Sequence, residues 1–376
     1  QFAYNVIKKC DIGNLNSDVL KSLFINSSSG VPQGPLHFFV ECFSGIVGFE
    51  NYINFLQVKI VLSQILIIII YLNIKKTISS DSAVASILFI LLNPYLIISS
   101  RNISAVYNYE FYAAIFIFLL LRRNSSKNLS FLYGFISSMS FAVYFPFLIY
   151  TTVVNIVLLV KDKYKNLKSL SLGYISGIFG NIFLFLPVIN EIKLENISSS
   201  TSWGVSSFWR ISIQFLSGNS LKNKINNDID LNILNNEFPL YSTFHEINLI
   251  VILLLLVLSL IKLVKNIQVN SLDDFDLIFI SIITLAGIIF TVINRPLYPH
   301  YYFLFGIFSY IFLFKDIKNL KILFLVCLVY SFSSIFIVLN FHNFISLNNG
   351  AGNSDYGKTY ESCGKIVEDA RECRGQ

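Results

Sequence analysis

Residues 128–160 read NLSFLYGFISSMSFAVYFPFLIYTTVVNIVLLV, 33 consecutive positions without a charged side chain. As one α-helix the stretch would be about 50 Å long, well beyond a hydrocarbon core of about 30 Å. Pro146 stands near its middle, where a proline removes a backbone donor and clashes with the preceding turn. The flanks decide the matter. Arg122, Arg123 and Lys127 precede the stretch, and Lys161, Lys163, Lys165 and Lys168 follow it. Basic flanks collect on the cytoplasmic face of a membrane. Two short spans folding back at Tyr144–Pro146 put both flanks on one side; a single span cannot.

Working outward, other charge-free intervals mark further spans. Before the decisive stretch come Ile60–Ile74, Ser82–Ser100 and Phe111–Leu121. After it come Ser169–Asn190, Ile247–Ile261, Leu277–Asn294, Pro296–Phe314 and Ile322–Phe341. With the folded-back pair these make ten. The composition agrees. Hydrophobic residues are 54% of 376 positions, about 203, and ten spans of about twenty residues would use roughly that number. Charged residues are only 13%, about half the share of a soluble protein, and mean hydropathy is +0.64. A soluble cytosolic enzyme, a secreted disulfide scaffold and a disordered chain are set aside. The expected fold is an all-α polytopic transmembrane bundle.

Counting Lys and Arg by loop orients it. With the N-terminal segment outside, fourteen basic residues fall in short inner loops: Lys75, Lys76, Arg122, Arg123, Lys127, Lys161, Lys163, Lys165, Lys168, Lys262, Lys265, Lys315, Lys318 and Lys321. The net charge of +6 therefore reflects topology, and no nucleic-acid partner is expected. The organisation is an outer segment (1–51), a first bundle of six spans (52–190), an outer loop (191–246), a second bundle of four spans (247–341) and an outer tail (342–376). The outer loop is too long for a plain connection and is expected to hold surface helices such as Ser206–Leu216. The chain begins with Gln1, its only methionine is Met139, and its N-terminal segment is placed outside. A transmembrane helix upstream of Gln1 is therefore expected.

The polar residues concentrate at the outer turns. Arg101 ends one span and Glu110 begins the next, across a short turn. Ionisable residues at the mouth of an apolar helix are functional candidates, with a mutual salt bridge as the competing reading. The segment Asn294-Arg295-Pro296-Leu297-Tyr298-Pro299-His300-Tyr301-Tyr302 concentrates a cation, a histidine and tyrosines at interface depth. Arg295 and His300 are donors of the kind that bind phosphate, although snorkelling and aromatic belts compete for the same residues. Asp18 lies upstream of Gly34–Gly48, an apolar run too short to span and read as an interfacial helix. The competing reading of Asp18 is a helix-start acid. Gly173, Gly177 and Gly180 look like a close helix-packing face. The four histidines (His37, His245, His300, His342) all fall near the outer surface. Cys363 with Cys373, and Cys10 with Cys42, are open disulfide pairings. There is no HExxH, no zinc-spaced Cys/His cluster and no P-loop.

Taken in order, several of these features carry a resemblance. Asp18 is followed by Gln33-Gly34-Pro35-Leu36-His37-Phe38-Phe39 and Gly45-Ile46-Val47-Gly48. Then come Asn93-Pro94-Tyr95-Leu96-Ile97-Ile98-Ser99-Ser100-Arg101, Gly134–Phe141 and Pro296-Leu297-Tyr298-Pro299-His300-Tyr301. Over residues 16–341 the chain resembles the GT-C membrane glycosyltransferases, specifically the protein O-mannosyltransferase and aminoarabinose transferase group. Many relatives carry two adjacent acids at the catalytic position. Here Asp18 stands between Ser17 and Val19, with Asp11 as a possible substitute.

The resemblance implies a multi-pass inner-membrane enzyme whose active site faces the periplasm or exterior. Its donor would be a polyprenyl-phosphate-linked sugar, and its acceptor a hydroxyl on protein, lipid or glycan. Asp18 would be the catalytic base, and Arg101, Glu110, Arg295, His300 and Tyr301 would bind substrate. Membrane lipid is the surrounding partner. No cofactor is fixed by the sequence, a divalent cation being left open. Two alternatives stand beside this reading. An O-antigen or polysaccharide polymerase would use arginines in its large outer loop, where only Arg210 is found. A non-enzymatic lipid-linked sugar flippase would bury ionisable residues at mid-membrane, where almost none occur.

Overall fold

The helix pair expected inside residues 128–160 is present in a computed structural model of the chain, which describes residues 52–100, 109–161, 164–186, 205–224, 234–293 and 302–347. In chain order the helices are α1 (Tyr52–Ile74), α2 (Ser80–Leu92), α3 (Pro94–Ser100), α4 (Tyr109–Arg122), α5 (Lys127–Val143), α6 (Phe145–Val160), α7 (Leu167–Phe185), α8 (Val205–Ser217), α9 (Leu240–Gln268), α10 (Asp274–Ser281), α11 (Gly287–Ile293), α12 (Phe303–Phe314) and α13 (Leu320–Leu347). A 3-10 turn, Asn219–Lys224, follows α8, and a π-helical turn, Ile282–Ala286, joins α10 to α11. No strand occurs among the described residues.

Helix α5 ends at Tyr144, whose backbone is extended (φ −168°, ψ 131°). Pro146 falls in the first turn of α6, where its missing N–H costs no helical bond. Ser140 Oγ lies 3.0 Å from Thr151 Oγ1, and farther from the turn Tyr133 donates to Asn155 Oδ1 at 2.6 Å. Partners that move apart in step on both sides of a turn define an antiparallel pair. Helix α7 then returns alongside α5, and glycines set the distance. A Cβ on Gly173 would lie 2.0 Å from the Phe131 carbonyl oxygen, and one on Gly134 would lie 2.2 Å from that of Leu170. The close-packing face read at Gly173 and Gly177 is therefore real, and Gly134 supplies the matching gap on α5.

The described residues of each segment expected to span are helical, but the segments are unequal. Among the described residues, four stretches are long and apolar enough to cross a membrane: Leu167–Phe185, Leu240–Gln268, Asp274–Val292 and Leu320–Phe344. The second expected span, Ser82–Ser100, is not one helix. It breaks at Asn93 ahead of Pro94, because a residue before proline is driven out of the α region (φ −61°, ψ 117°). All twelve residues of α12 are buried. At about 18 Å it is shorter than a hydrocarbon core, and neighbouring helices rather than lipid surround it. Outward faces of α7, α9 and α13 expose Phe179, Phe183, Leu254, Phe324 and Phe332, each more than 60% accessible. So much exposed apolar surface needs an apolar solvent, and the chain is a membrane protein.

The turns rich in basic residues meet at one end. Arg122 Nε donates to Asn73 Oδ1 at 3.4 Å, linking the α4–α5 turn to the end of α1. The Lys165 amide donates to Asn124 Oδ1 at 3.0 Å, bringing in the α6–α7 turn. Arg123 pairs with Asp274 at 2.6 Å and adds the α9–α10 turn. Lys315 pairs with Asp273 at 2.7 Å and Asp276 at 2.6 Å, adding the α12–α13 turn. Both flanks of the decisive stretch therefore lie on one side, as the charge pattern requires.

Candidate functional site

Of the expected site residues, Asp18, Arg101, Arg295, His300 and Tyr301 lie outside the described residues. So do Cys10, Cys42, Cys363 and Cys373. Glu110 opens α4, and its side chain also lies outside the described set. The ends to which these segments attach are described. At the end of the bundle away from the charged turns, Tyr95 of α3 packs on Phe303 at the start of α12, ring centroids 6.4 Å apart. Tyr112 near the start of α4 stacks on Phe147 near the start of α6 at 5.4 Å. Residue 101 continues from α3, residue 108 precedes α4, and residues 294–301 run from α11 to α12. The described helix ends from which residues 101 and 294 continue, and at which residues 108 and 301 arrive, therefore lie opposite the charged turns.

Beneath that end lies a buried polar knot that the sequence reading did not find. Helix α8 was expected at the surface. Its Phe208, Ile211, Ser212, Phe215 and Leu216 are instead buried, so one face is sunk into the bundle. The spacing 208, 211, 212, 215, 216 is the apolar stripe of an amphipathic helix. It was legible in the sequence, but its docking partner was not. Gly218, at φ +78°, ends the helix in a left-handed conformation that favours glycine, and a Cβ there would lie 2.6 Å from Pro94 Cδ.

The last carbonyls of α8 would be orphaned in the interior. Three side chains from other helices serve them. Asn93 Nδ2 donates to the Phe215 oxygen at 2.8 Å, and Tyr310 and Tyr330 donate to the Leu216 oxygen at 2.6 and 3.3 Å. Asn93 is available because the break between α2 and α3 turns its amide inward. Tyr330 also stacks on Phe89 at 3.8 Å. The knot contains no carboxylate or histidine, so it anchors α8 and has no means of moving a proton at neutral pH.

His245 lies toward the end away from the charged turns, but inside the bundle. Helix α9 begins at Leu240, earlier than the span read from the sequence, and carries His245 into full burial. Its Nδ1 lies 2.9 Å from Asn219 Oδ1, and its ring meets Tyr241 edge-on at 4.6 Å. One turn farther in, Asn248 donates to Ser334 Oγ at 3.0 Å.

The charged end has its own order. The Asp273 side chain accepts from the Asp276 amide and the Asp276 side chain from the Asp273 amide, a capping box that starts α10. Lys315 and Asp276 are almost completely buried, at 2% and 1% exposure of their side chains. Arg123 is nearly as buried and lies over the Tyr164 ring, 5.6 Å from its centroid. Tyr164 donates to Asn155 Oδ1 at 2.7 Å. Burial first, and the neighbouring Tyr133 phenol next, push its own phenol far above the ordinary range. It is a neutral donor at any physiological pH. Among the described residues no group of three or more His, Cys, Asp or Glu could hold a metal ion.

No protein-family model, no curated protein and no solved structure matches this chain.

Proposed function

We propose that the chain is a membrane glycosyltransferase moving a sugar from a polyprenyl-phosphate-linked donor to an acceptor hydroxyl, on protein, lipid or glycan. The active site is at the end of the bundle away from the charged turns. One observation carries the reading. The bundle gathers its charged turns at one end, and the helix ends next to the segments that hold Arg101, Glu110, Arg295, His300 and Tyr301 lie at the other, which supports a site there. The order of sequence motifs from Asp18 to Tyr301 supplies the rest.

The chemistry asks little of the protein beyond a base and positive charge. The Asp18 carboxylate takes the acceptor hydroxyl proton as the acceptor oxygen bonds to the sugar carbon. The bond from that carbon to the donor phosphate breaks with inversion, and the polyprenyl phosphate leaves with the electron pair. Arg101 and Arg295, with His300 and Tyr301 as further donors, stabilise the charge that develops on the phosphate. Glu110 orients Arg101 or binds the acceptor. The donor's lipid tail stays in the bilayer, which is why a membrane bundle carries the site. On this reading the protein resides in the cell membrane with its site facing the exterior or periplasm.

Membranes holding the full chain are incubated with labelled polyprenyl-phosphate sugar. Label on a single-sugar product supports transfer, and Asp18→Asn should abolish it while the protein still inserts. Undiminished transfer in that variant removes Asp18 as the base. Label that only crosses the membrane identifies a flippase, and products many sugars long identify a polymerase.

A further inference from the structure

Between α6 and α7, next to the charged turns, lies a cavity of about 260 Å³. Its rim is apolar and lipid-facing: Ile156 on α6 and Ile175 on α7 are each about half exposed. Its wall also carries Asn155, Tyr164, Thr152 and Ser171. The Asn155 carboxamide oxygen accepts from the phenols of both Tyr133 and Tyr164, at 2.6 and 2.7 Å. The other end of that amide, Nδ2, is buried and has no acceptor among the described residues. A buried amide donor without a partner is costly, and the residue that carries it lines the cavity wall.

The charge at the mouth is net positive. The segment 161–168 carries four lysines against one aspartate, Asp162. Lys161, Lys165 and Lys168 are exposed. Helix α7 starts here with no acid in its first turn and no side-chain cap from Asn166, so its dipole adds to the positive field. The neighbouring start of α10 is arranged the opposite way. Asp273, Asp274 and Asp276 complement its dipole, and Lys315 and Arg123 neutralise them. The chain thus balances charge within one helix start and leaves the other lacking an anion. At this depth, where a lipid-facing groove meets the interface, the anion in supply is a phospholipid headgroup.

We propose that the cavity between α6 and α7 binds one anionic phospholipid of the leaflet at the charged end, its phosphate on Lys161, Lys165 and Lys168 and its glycerol ester region beside Asn155. The volume takes the ester region and the start of one acyl chain, and the rest of the lipid lies along Ile156 and Ile175. This binding is independent of glycosyl transfer, and failure of either leaves the other standing.

The test uses the full chain in nanodiscs of equal phosphatidylglycerol and phosphatidylcholine, released and weighed by native mass spectrometry. One phosphatidylglycerol per chain should remain bound, with at least a tenfold preference over phosphatidylcholine. The K161Q/K165Q/K168Q variant should lose the preference. Ser171→Trp, which fills the cavity and leaves the lysines in place, should lower retention at least tenfold; Ile156→Trp replaces it if that variant does not fold. Excess glycerol 3-phosphate should fail to displace the lipid. Equal retention of the two lipids overturns the proposal, as does undiminished retention with the cavity filled. Displacement by the free phosphate ester overturns it too.

Discussion

Replacing Gly173 by Ala tests the packing on which the α5–α6–α7 unit depends. The added methyl carbon would lie 2.0 Å from the Phe131 carbonyl oxygen, 2.8 Å from its carbon and 3.0 Å from the Phe131 Cα. All three are backbone atoms, so no side chain can swing away. Reaching ordinary contact at 3.4 Å requires α5 and α7 to part by about 1.4 Å. Overpacking costs about 1–3 kcal/mol, and a backbone clash of this depth belongs near the top of that range. Alanine recovers about 1 kcal/mol in helix propensity. The expected net loss is about 2 kcal/mol. Gly180 is the internal control: a methyl there meets the flexible Met139 thioether, at 2.9 Å from Sδ. The propensity gain then offsets most of the cost, and Gly180→Ala should fall within about 0.5 kcal/mol of wild type. Reversible unfolding of the full chain in mixed micelles, titrated with SDS, measures both. Equal losses for the two variants, or a neutral Gly173→Ala, would refute the reasoning.

Asn93→Ala removes the donor to the Phe215 oxygen and a partner of Tyr310. It should cost about 1–3 kcal/mol and speed hydrogen exchange in α8 before the rest of the bundle. Lys315→Met leaves the Asp276 carboxylate buried beside the Asp273 carboxylate and should cost about 3–5 kcal/mol. Lys315→Met with Asp276→Leu should recover part of that loss, and an additive pair in a double-mutant cycle would mean that the two do not interact. The Tyr164 phenol is raised above its free value of 10.0, so folding favours its neutral form. Its contribution is whole below about pH 10 and is lost as pH rises toward the folded value. Stability measured from about pH 9 to 11 should fall more steeply in wild type than in Tyr164→Phe, and identical slopes would count against it.

The fold-back at Tyr144–Pro146 was legible because three local signals agreed: a run too long for one helix, a central proline and basic flanks on both sides. The glycine face was legible for a similar reason, since close approach needs small residues at helical spacing. Tertiary pairing was not. Nothing local to Asp273 and Asp276 says that Lys315, some forty residues away, neutralises them. Asn93 was visible as the residue before a proline. Its task of serving the C-terminus of α8 depends on a helix more than a hundred positions downstream. The burial of His245 was not legible because a span bounded by its charge-free core omits the turns by which α9 extends past it.

Those ion pairs bear on how the orientation signal works. Arg123 and Lys315 were counted among the basic residues of the inner loops, and in the folded bundle both are buried against aspartates. The positive-inside bias is read as the chain inserts, before such pairs form, and acidic residues weigh little in it. Counting Lys and Arg alone is therefore the right measure even where the folded end is locally neutral. The same pairing shows where acid–base chemistry has to be sought. Asp276 is committed to Lys315, and Arg123 to Asp274. Toward the opposite end, the described helices bury one histidine, His245, and no carboxylate. On the proposed function a general base there would come from Glu110, from His245, from the exposed Glu237 or Glu246, or from the segments attached above them. Full activity in Asp18→Asn would accordingly move the search to His245 and Glu246, one residue apart at the start of α9. His245→Gln, which keeps a polar partner for Asn219, would separate its structural role from a catalytic one by the pH profile of transfer.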